Sequence, residues 1–455
     1  MLKHVYLPIE IKSRDLMGRV ILASYLAEKN YKVIMFFKGH TDEVLKHFPR
    51  GIYFHYGIVT NYLKIIQKVK KLGHTVVAWD EEGFVFPSDD EYINNRINTN
   101  VYNELKKYFL WGNHQKYLLK NKLNDLSNTK TVGHPRFDLF RKEFREYLLI
   151  DSNKIKEKYG KFILINTKFN SNHFLGKQQA VNRLTESDYF GDDDKLEKYH
   201  INKMEYNSKN FDLYASLIPK LSKKYLDYKI IIRPHPSENF STWEKICIKH
   251  KLNNVHVVHK GSVLQWLLAA DIMIHNGCTT GVESFILGKP SILYKPVIDK
   301  RFDIFLIDQL SKEINNEKSL LDYLNNLLQN NDVLFSENEI KIKTDLLNKY
   351  VCGIDGISAS KNIYNELEKI DFDKYKISYN YIFRLKIKML YKSVKEKIKK
   401  YLLVSNEYKY LTHKFSKVTM KELSIILDNL NDTTGLYTNT KIKKISTNIF
   451  CYYRK

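Results

Sequence analysis

The stretch YKIIIRPHPSEN, residues 228–239, decides the fold class. Three consecutive isoleucines read as a short buried strand. The strand ends at Arg233, and His235 follows on a corner between Pro234 and Pro236. Proline rings fix φ, so the corner is stiff and the direction of the imidazole is set. Upstream, NFDLYASLIPKLSKKYL (210–226) carries apolar residues at helical spacing. Downstream come a helix, NVHVVHKG (254–261), a helix, DIMIHNG (271–277), a helix from Thr279, and PSILYKP (290–296). KFILINTKFN (161–170) opens the series. Strands alternating with helices at this spacing predict a parallel, doubly wound α/β sheet.

The same alternation fills the first third of the chain. HVYLPIEIKSRDLMGRVILASYLAEKNYKVIMFF (4–37) reads as strand, loop, helix, strand. GIYFHYG (51–57), HTVVAWDEEG (74–83), YFLWG (108–112) and TVGHPRFDLF (131–140) continue it. Residues 1–150 are read as an N-terminal Rossmann-like domain and 151–370 as a second one, the two facing across a cleft. An irregular polar insertion is expected at roughly 171–207. Residues 371–455 read as a basic helical extension, because YIFRLKIKMLYKSVKEKIKKYLL (381–403) mixes lysines with apolar residues at helical spacing.

Composition narrows the function classes. At 455 residues and 43% hydrophobic, the chain can bury more than one core and is not a disordered polymer. Lys and Arg outnumber Asp and Glu, 74 to 51, and the net charge of +23 favours anionic partners. Four scattered cysteines without a CxxC pair argue against a zinc ribbon or disulfide framework. There is no signal-peptide pattern and no long apolar run, so a cytoplasmic location is expected. No GxGxxG, P-loop, GxSxG or HExxH motif occurs. The acidic run GDDDKLE (191–197) reads as a solvated loop, and no metal or cofactor is expected.

Two turns carry the chemistry. In DIMIHNGCTTGVESFILGKP (271–290) a strand ends at His275, small residues follow from Asn276 to Gly281, and a helix begins. Glycine admits close approach of a ligand to the backbone, and free amides at a helix start favour a phosphate, with the Thr279 and Thr280 hydroxyls as added donors. The alternative is an ordinary strand-to-helix turn with a threonine cap. The His235 corner sits at the matching place on another strand, and ligands of open α/β sheets bind at the carboxyl ends of strands. A protonated His235 there can neutralise or protonate a leaving phosphate oxygen, with Arg233 assisting. Each turn taken alone is more simply a turn; two anion-suited turns on one sheet edge point to a site.

RPHP followed by NGCTTGVES resembles the paired histidine–proline and serine/threonine motifs of bacterial GT-B glycosyltransferases. The nearest likeness is to transferases of CMP-activated acidic sugars, the nonulosonic acids and Kdo. YLPIEIKSRD, WDEEG (79–83), GHPRFD (133–138) and GIDGISASKNI are similar to the family of surface carbohydrate biosynthesis proteins, over roughly residues 1–365. The resemblance implies a donor nucleotide held by Arg233, His235, Pro236, Asn276, Gly277, Thr279 and Thr280, with Glu283 on the ribose hydroxyls and Cys278 as a small filler. It implies a glycan or lipid-linked glycan acceptor.

A transferase must also deprotonate the attacking hydroxyl. Glu10, with Arg14 and Asp15 in the loop after the first strand, is the first candidate for that base. Asp80 and Glu81 are the others; loop ion pairing is the plainer reading of each. Lys168 and Asn170, past the first strand of the second domain, are placed to touch donor phosphates or the sugar. The 380–403 segment is expected to rest on anionic lipid at the inner face of the membrane. A CDP-glycerol or CDP-ribitol phosphotransferase of teichoic-acid type is the nearest rival. From another class, a nucleic-acid-binding protein is suggested by the charge but by no recognisable module.

Overall fold

The computed structural model describes residues 3–169, 194–235, 238–329, 333–371 and 417–455, with a few isolated positions between them. Two compact units emerge. The described residues up to Tyr147, those from Asp345 to 371 and those from 417 onward form the first; Leu148–Thr344 forms the second.

The first unit is built on an eight-stranded sheet. Its strands are β1 (Lys3–Ile9), β2 (Tyr31–Phe37), β3 (Ile52–His55), β4 (Thr75–Trp79), β5 (Lys107–Leu110), β6 (Thr129–Thr131), β13 (Thr440–Ser446) and β14 (Ile449–Arg454). The order is β13-β14-β2-β1-β3-β4-β5-β6. β1 to β6 run parallel, as expected for buried strands joined by helical crossovers. Tyr6, Ile34, Tyr53, Val76 and Tyr108 share one face, packed on Val44, Leu45, Ile66, Val69 and Val101 of the crossover helices. The helix Lys12–Glu28 covers the other face, with Val20, Leu22 and Leu26 fully buried.

The second unit has six parallel strands, β7 (Phe162–Asn166), β8 (Lys229–Arg233), β9 (Val255–Val257), β10 (Ile272–His275), β11 (Ser291–Tyr294) and β12 (Lys312–Ile314). Their order is β12-β11-β10-β7-β8-β9. Ile163, Ile165, Ile230, Ile232, Ile272 and Ile274 pack against Tyr214, Leu217, Leu221 and Trp243. Both units are therefore doubly wound α/β, as the alternating pattern requires.

Three sequence expectations differ from the structure. The units divide at 344 rather than 370. Residues 345–371 return to the first unit, where Arg141 donates to the carbonyls of Gly353, Ile354 and Gly356 and Cys352 N–H donates to Trp111. The described part of the insertion is helical rather than irregular: one helix runs from Asp194 to Lys224, and the acidic residues Asp194 and Glu197 stand in its first turn. The described part of the extension is not helical throughout. After the helix Met420–Thr434 it forms the hairpin β13–β14, and β14 pairs antiparallel with β2. Ile449, Phe450 and Tyr452 are buried there, since β-branched and aromatic residues suit a sheet better than a helix. The 380–403 segment lies outside the described residues apart from two positions.

Candidate functional site

Three adjacent strands of the second unit end in one row. Asn166 of β7 is in register with Arg233 of β8 on one side and His275 of β10 on the other. Side chains alternate along a strand. Because Ile165, Ile232 and Ile274 enter the core on one face, Arg233, Asn166 and His275 share the opposite face. Two residues beyond this row the chain presents His235, Lys168 and Gly277. The sheet thus brings the two predicted turns to its carboxyl edge with Lys168 between them.

The three turns are joined by side chains. Glu238 is buried, and its carboxylate accepts the Thr167 hydroxyl at 2.9 and 3.1 Å, the Phe169 N–H at 2.9 Å, the His235 N–H at 3.3 Å and the Trp243 Nε1–H at 3.3 Å. Its own N–H donates to the His235 carbonyl at 2.8 Å. Burial pushes its pKa up to about 7, against the pull of these donors. Asn276 joins the next pair of turns through the backbone of Lys168, which leaves its amide engaged with protein rather than with a ligand. Sequence reasoning passed over Glu238, because a carboxylate in a polar turn after a strand looks solvated.

The turn after β10 is built around a neutral histidine. His275 is fully buried, and burial with the charge of Lys295 depresses its pKa to about 3. Its Nδ1 accepts the Gly277 N–H, so its Nε2–H donates to Ser311 Oγ at 3.0 Å. Gly277 has φ +90°, a conformation that favours glycine. A methyl group at Gly281 would stand 2.6 Å from the His275 ring, so the ring requires glycine there. Thr279 precedes the helix Thr280–Ile286 but makes no side-chain cap bond. The Thr280 hydroxyl meets the Cys278 thiol, and burial holds that thiol above its ordinary pKa, as suits a filler rather than a nucleophile. Glu283 is buried rather than solvated. Lys168 is partly exposed, and its ammonium acts electrostatically on Cys278.

Arg233 stands differently from expectation. Its guanidinium donates to the carbonyls of Lys260 and Gly261 at 2.7 and 3.1 Å and lies 5.0 Å over the Trp266 ring. It fastens the loop after β9 before it can serve any phosphate. Burial lowers its pKa to about 9. Pro236 and Asn170 lie outside the described residues.

In the first unit the predicted acids gather past β1 and β4. Asp15 is buried, accepts the N–H groups of Glu10 and Ile11, and so anchors the start of the helix Lys12–Glu28. Arg14 bonds Asp15 at 2.6 Å and reaches Glu10 and Glu82. Burial works against the Arg14 charge, but Asp15, Glu81 and Glu82 outweigh it and hold its pKa above the ordinary value. Asp80 accepts the Glu82 N–H and an Arg96 N–H. Glu81 pairs with the buried Arg19 and accepts the Trp79 indole at 2.7 Å; burial raises its pKa beyond what Arg19 offsets. The three base candidates are therefore unequal. Asp80 and Glu81 are 5% and 7% exposed and enclosed by donors, whereas Glu10 is 31% exposed and paired with Lys38 and Arg14. Lys38 and Arg19, both outside the expected set, complete this network.

Two stretches that carried the resemblance meet as a structural clasp. Asp138, of GHPRFD, accepts the N–H groups of Ala359 and Ser360 at 2.8 and 2.9 Å and the Ser360 hydroxyl at 2.6 Å, capping the helix Ala359–Leu367. Among the described residues no group of His, Cys, Asp and Glu side chains is arranged to hold a metal ion.

No protein-family model matches the sequence, and no curated protein does either. Solved structures resemble it at low identity. The S. aureus MnaA–UDP co-structure is 12% identical, over 83% of this chain and 100% of that one, with a TM-score of 0.47. UDP-GlcNAc 2-epimerase from Neisseria meningitidis bound to UDP-GlcNAc is 15% identical, over 81% and 100%, with a TM-score of 0.45. The wall teichoic acid polymerase TagF is 15% identical, over 81% and 88%, with a TM-score of 0.47. Values this low carry no argument about chemistry.

Proposed function

We propose that the chain is a GT-B glycosyltransferase that moves an acidic sugar, of the nonulosonic acid or Kdo type, from a CMP-activated donor to a bacterial surface glycan. The observation that carries this reading is the in-register row Arg233–Asn166–His275, with His235, Lys168 and the Gly277–Thr280 turn side by side beyond it. In this reading a phosphate at that edge is held by the His235 imidazole, the Lys168 ammonium, the Gly277 backbone and the hydroxyls of Thr279 and Thr280, the latter also bonded to the Cys278 thiol. As the bond from the anomeric carbon to the phosphate oxygen breaks, its electron pair stays on the oxygen. His235 and Lys168 stabilise that charge, and His235 can supply a proton. The acceptor hydroxyl attacks the anomeric carbon, and its proton passes to a carboxylate. The choice of CMP follows the motif resemblance.

A lipid-linked acceptor and a peripheral place on the inner face of the cytoplasmic membrane belong to the same proposal. Among the described residues no helix is long and apolar enough to cross a membrane.

The test is thermal stabilisation of the full chain by CMP, CDP, UDP and GDP, for the wild type and His235→Ala. A ligand that binds only the native state raises the melting temperature by mass action. Stabilisation by CMP that is lost in the variant supports the proposal. Preference for CDP moves the reading to alditol-phosphate transfer, and preference for UDP to a neutral-sugar enzyme. No stabilisation by any of the four sinks the assignment and returns nucleic acid to the front.

A further inference from the structure

We infer that Glu238 is a positioning residue of the proposed phosphate site, its buried carboxylate setting the His235 turn at a fixed distance from Lys168. The inference rests on the functional reading above and deepens it.

Geometry carries the argument. Lys168 is flanked by Thr167 and Phe169, and both neighbours donate to Glu238, one through its hydroxyl and the other through its N–H. His235 donates its own N–H to the same carboxylate and accepts the Glu238 N–H on its carbonyl. The two turns that carry the groups assigned to the phosphate, each following a different strand, thus hang from one side chain. Trp243 closes the far side, its indole N–H on the second oxygen and its ring fully buried. Among the described residues no lysine or arginine forms an ion pair with Glu238. Burying a carboxylate without a cation is costly, even when donors satisfy it. Packing alone is served more cheaply by a neutral side chain in such a place. A side chain with two acceptor oxygens that draws four separate donors inward is what a fixed arrangement of two turns requires.

The experiment compares the wild type with Glu238→Gln. Gln keeps the shape but replaces one acceptor oxygen with an N–H₂ group, which then faces a backbone or indole N–H that can only donate. Two quantities are read on the full chain: the Kd for CMP by calorimetry, and the hydrogen exchange of the Phe169 and His235 amides. The expected result is CMP binding weakened about tenfold or more. Exchange at both amides is faster, and the far-UV spectrum is unchanged. A variant that binds CMP as the wild type does, with both amides still protected, overturns the inference. Should Glu238→Gln fail to fold, Thr167→Val removes only the bridging hydroxyl and is read in the same way. If the wild type itself does not bind CMP, the functional reading has failed. The exchange data then separate that failure from the absence of the clasp.

Discussion

Asn276 holds Lys168 by both of its peptide groups: Oδ1 accepts the Lys168 N–H at 2.8 Å and Nδ2 donates to the Lys168 carbonyl at 3.2 Å. A side-chain amide has this donor–acceptor pair and a carboxylate does not. Asn276→Asp should keep the first bond and set a carboxylate against a carbonyl in place of the second. The expected loss is about 2 kcal/mol in urea unfolding, the cost of a partly buried polar group left without its partner. An unchanged midpoint would show that the clasp is incidental.

Gly281 and His275 should behave as one unit. Gly281→Ala places a methyl group 2.6 Å from the imidazole and 2.8 Å from Ser311 Oγ, and should destabilise by about 2 kcal/mol. Truncating the ring with His275→Ala should destabilise on its own and remove most of the penalty at 281. A double-mutant cycle measures that coupling, and additive effects would contradict the geometry.

Glu238 should give stability a pH signature. Burial raises its folded pKa to about 7, above the ordinary carboxylate value of 4.5, so the folded state binds this proton more tightly than the unfolded state does. The contribution is favourable below the unfolded value and is lost as pH rises from about 4.5 to 7, a change of about 3 kcal/mol. Glu238→Gln lacks the proton and should lack that slope. Urea unfolding of both proteins at pH 5, 6, 7 and 8 tests it; parallel pH profiles would refute it.

Tyr452 tests the role of the hairpin. The ring is fully buried on β14, beside β2. Tyr452→Ala should destabilise by about 3–5 kcal/mol and lower the soluble yield. A peripheral appendage would tolerate the change with little shift in melting temperature.

The strands and their parallel order were legible because each is a short apolar run with a turn on either side. The placement of His235 and the Gly277 turn on one sheet edge followed from the strand-end rule. The partners of these residues were not legible. Nothing local in SEN says that Glu238 will be buried under the β7 turn, because the burial is supplied by Trp243 and Phe169 from elsewhere in the unit. Arg233 looked like a phosphate ligand because its carbonyl partners lie on a loop beyond the next strand. For Asp80 and Glu81 the plainer reading, loop ion pairing, is the one the structure shows; what the sequence did not give was the partners, Arg96 and Arg19, which reach them from outside the motif. The hairpin of residues 440–454 was hidden by its lysines. They face solvent on an edge strand, where they discourage pairing with other chains, and in one dimension they read as a basic tail.

That hairpin also sets an order of events during synthesis. Asn439 bonds Glu28 across 411 residues, and β14 covers an edge of β2 that the first unit otherwise leaves open. The second unit draws its described residues from Leu148–Thr344 and can complete its sheet as soon as that stretch has left the ribosome. The first unit begins earlier and finishes later. During translation it holds β2 as an uncovered edge of apolar residues, a state in which binding by a chaperone, or pairing with another nascent chain, competes with the arrival of β14.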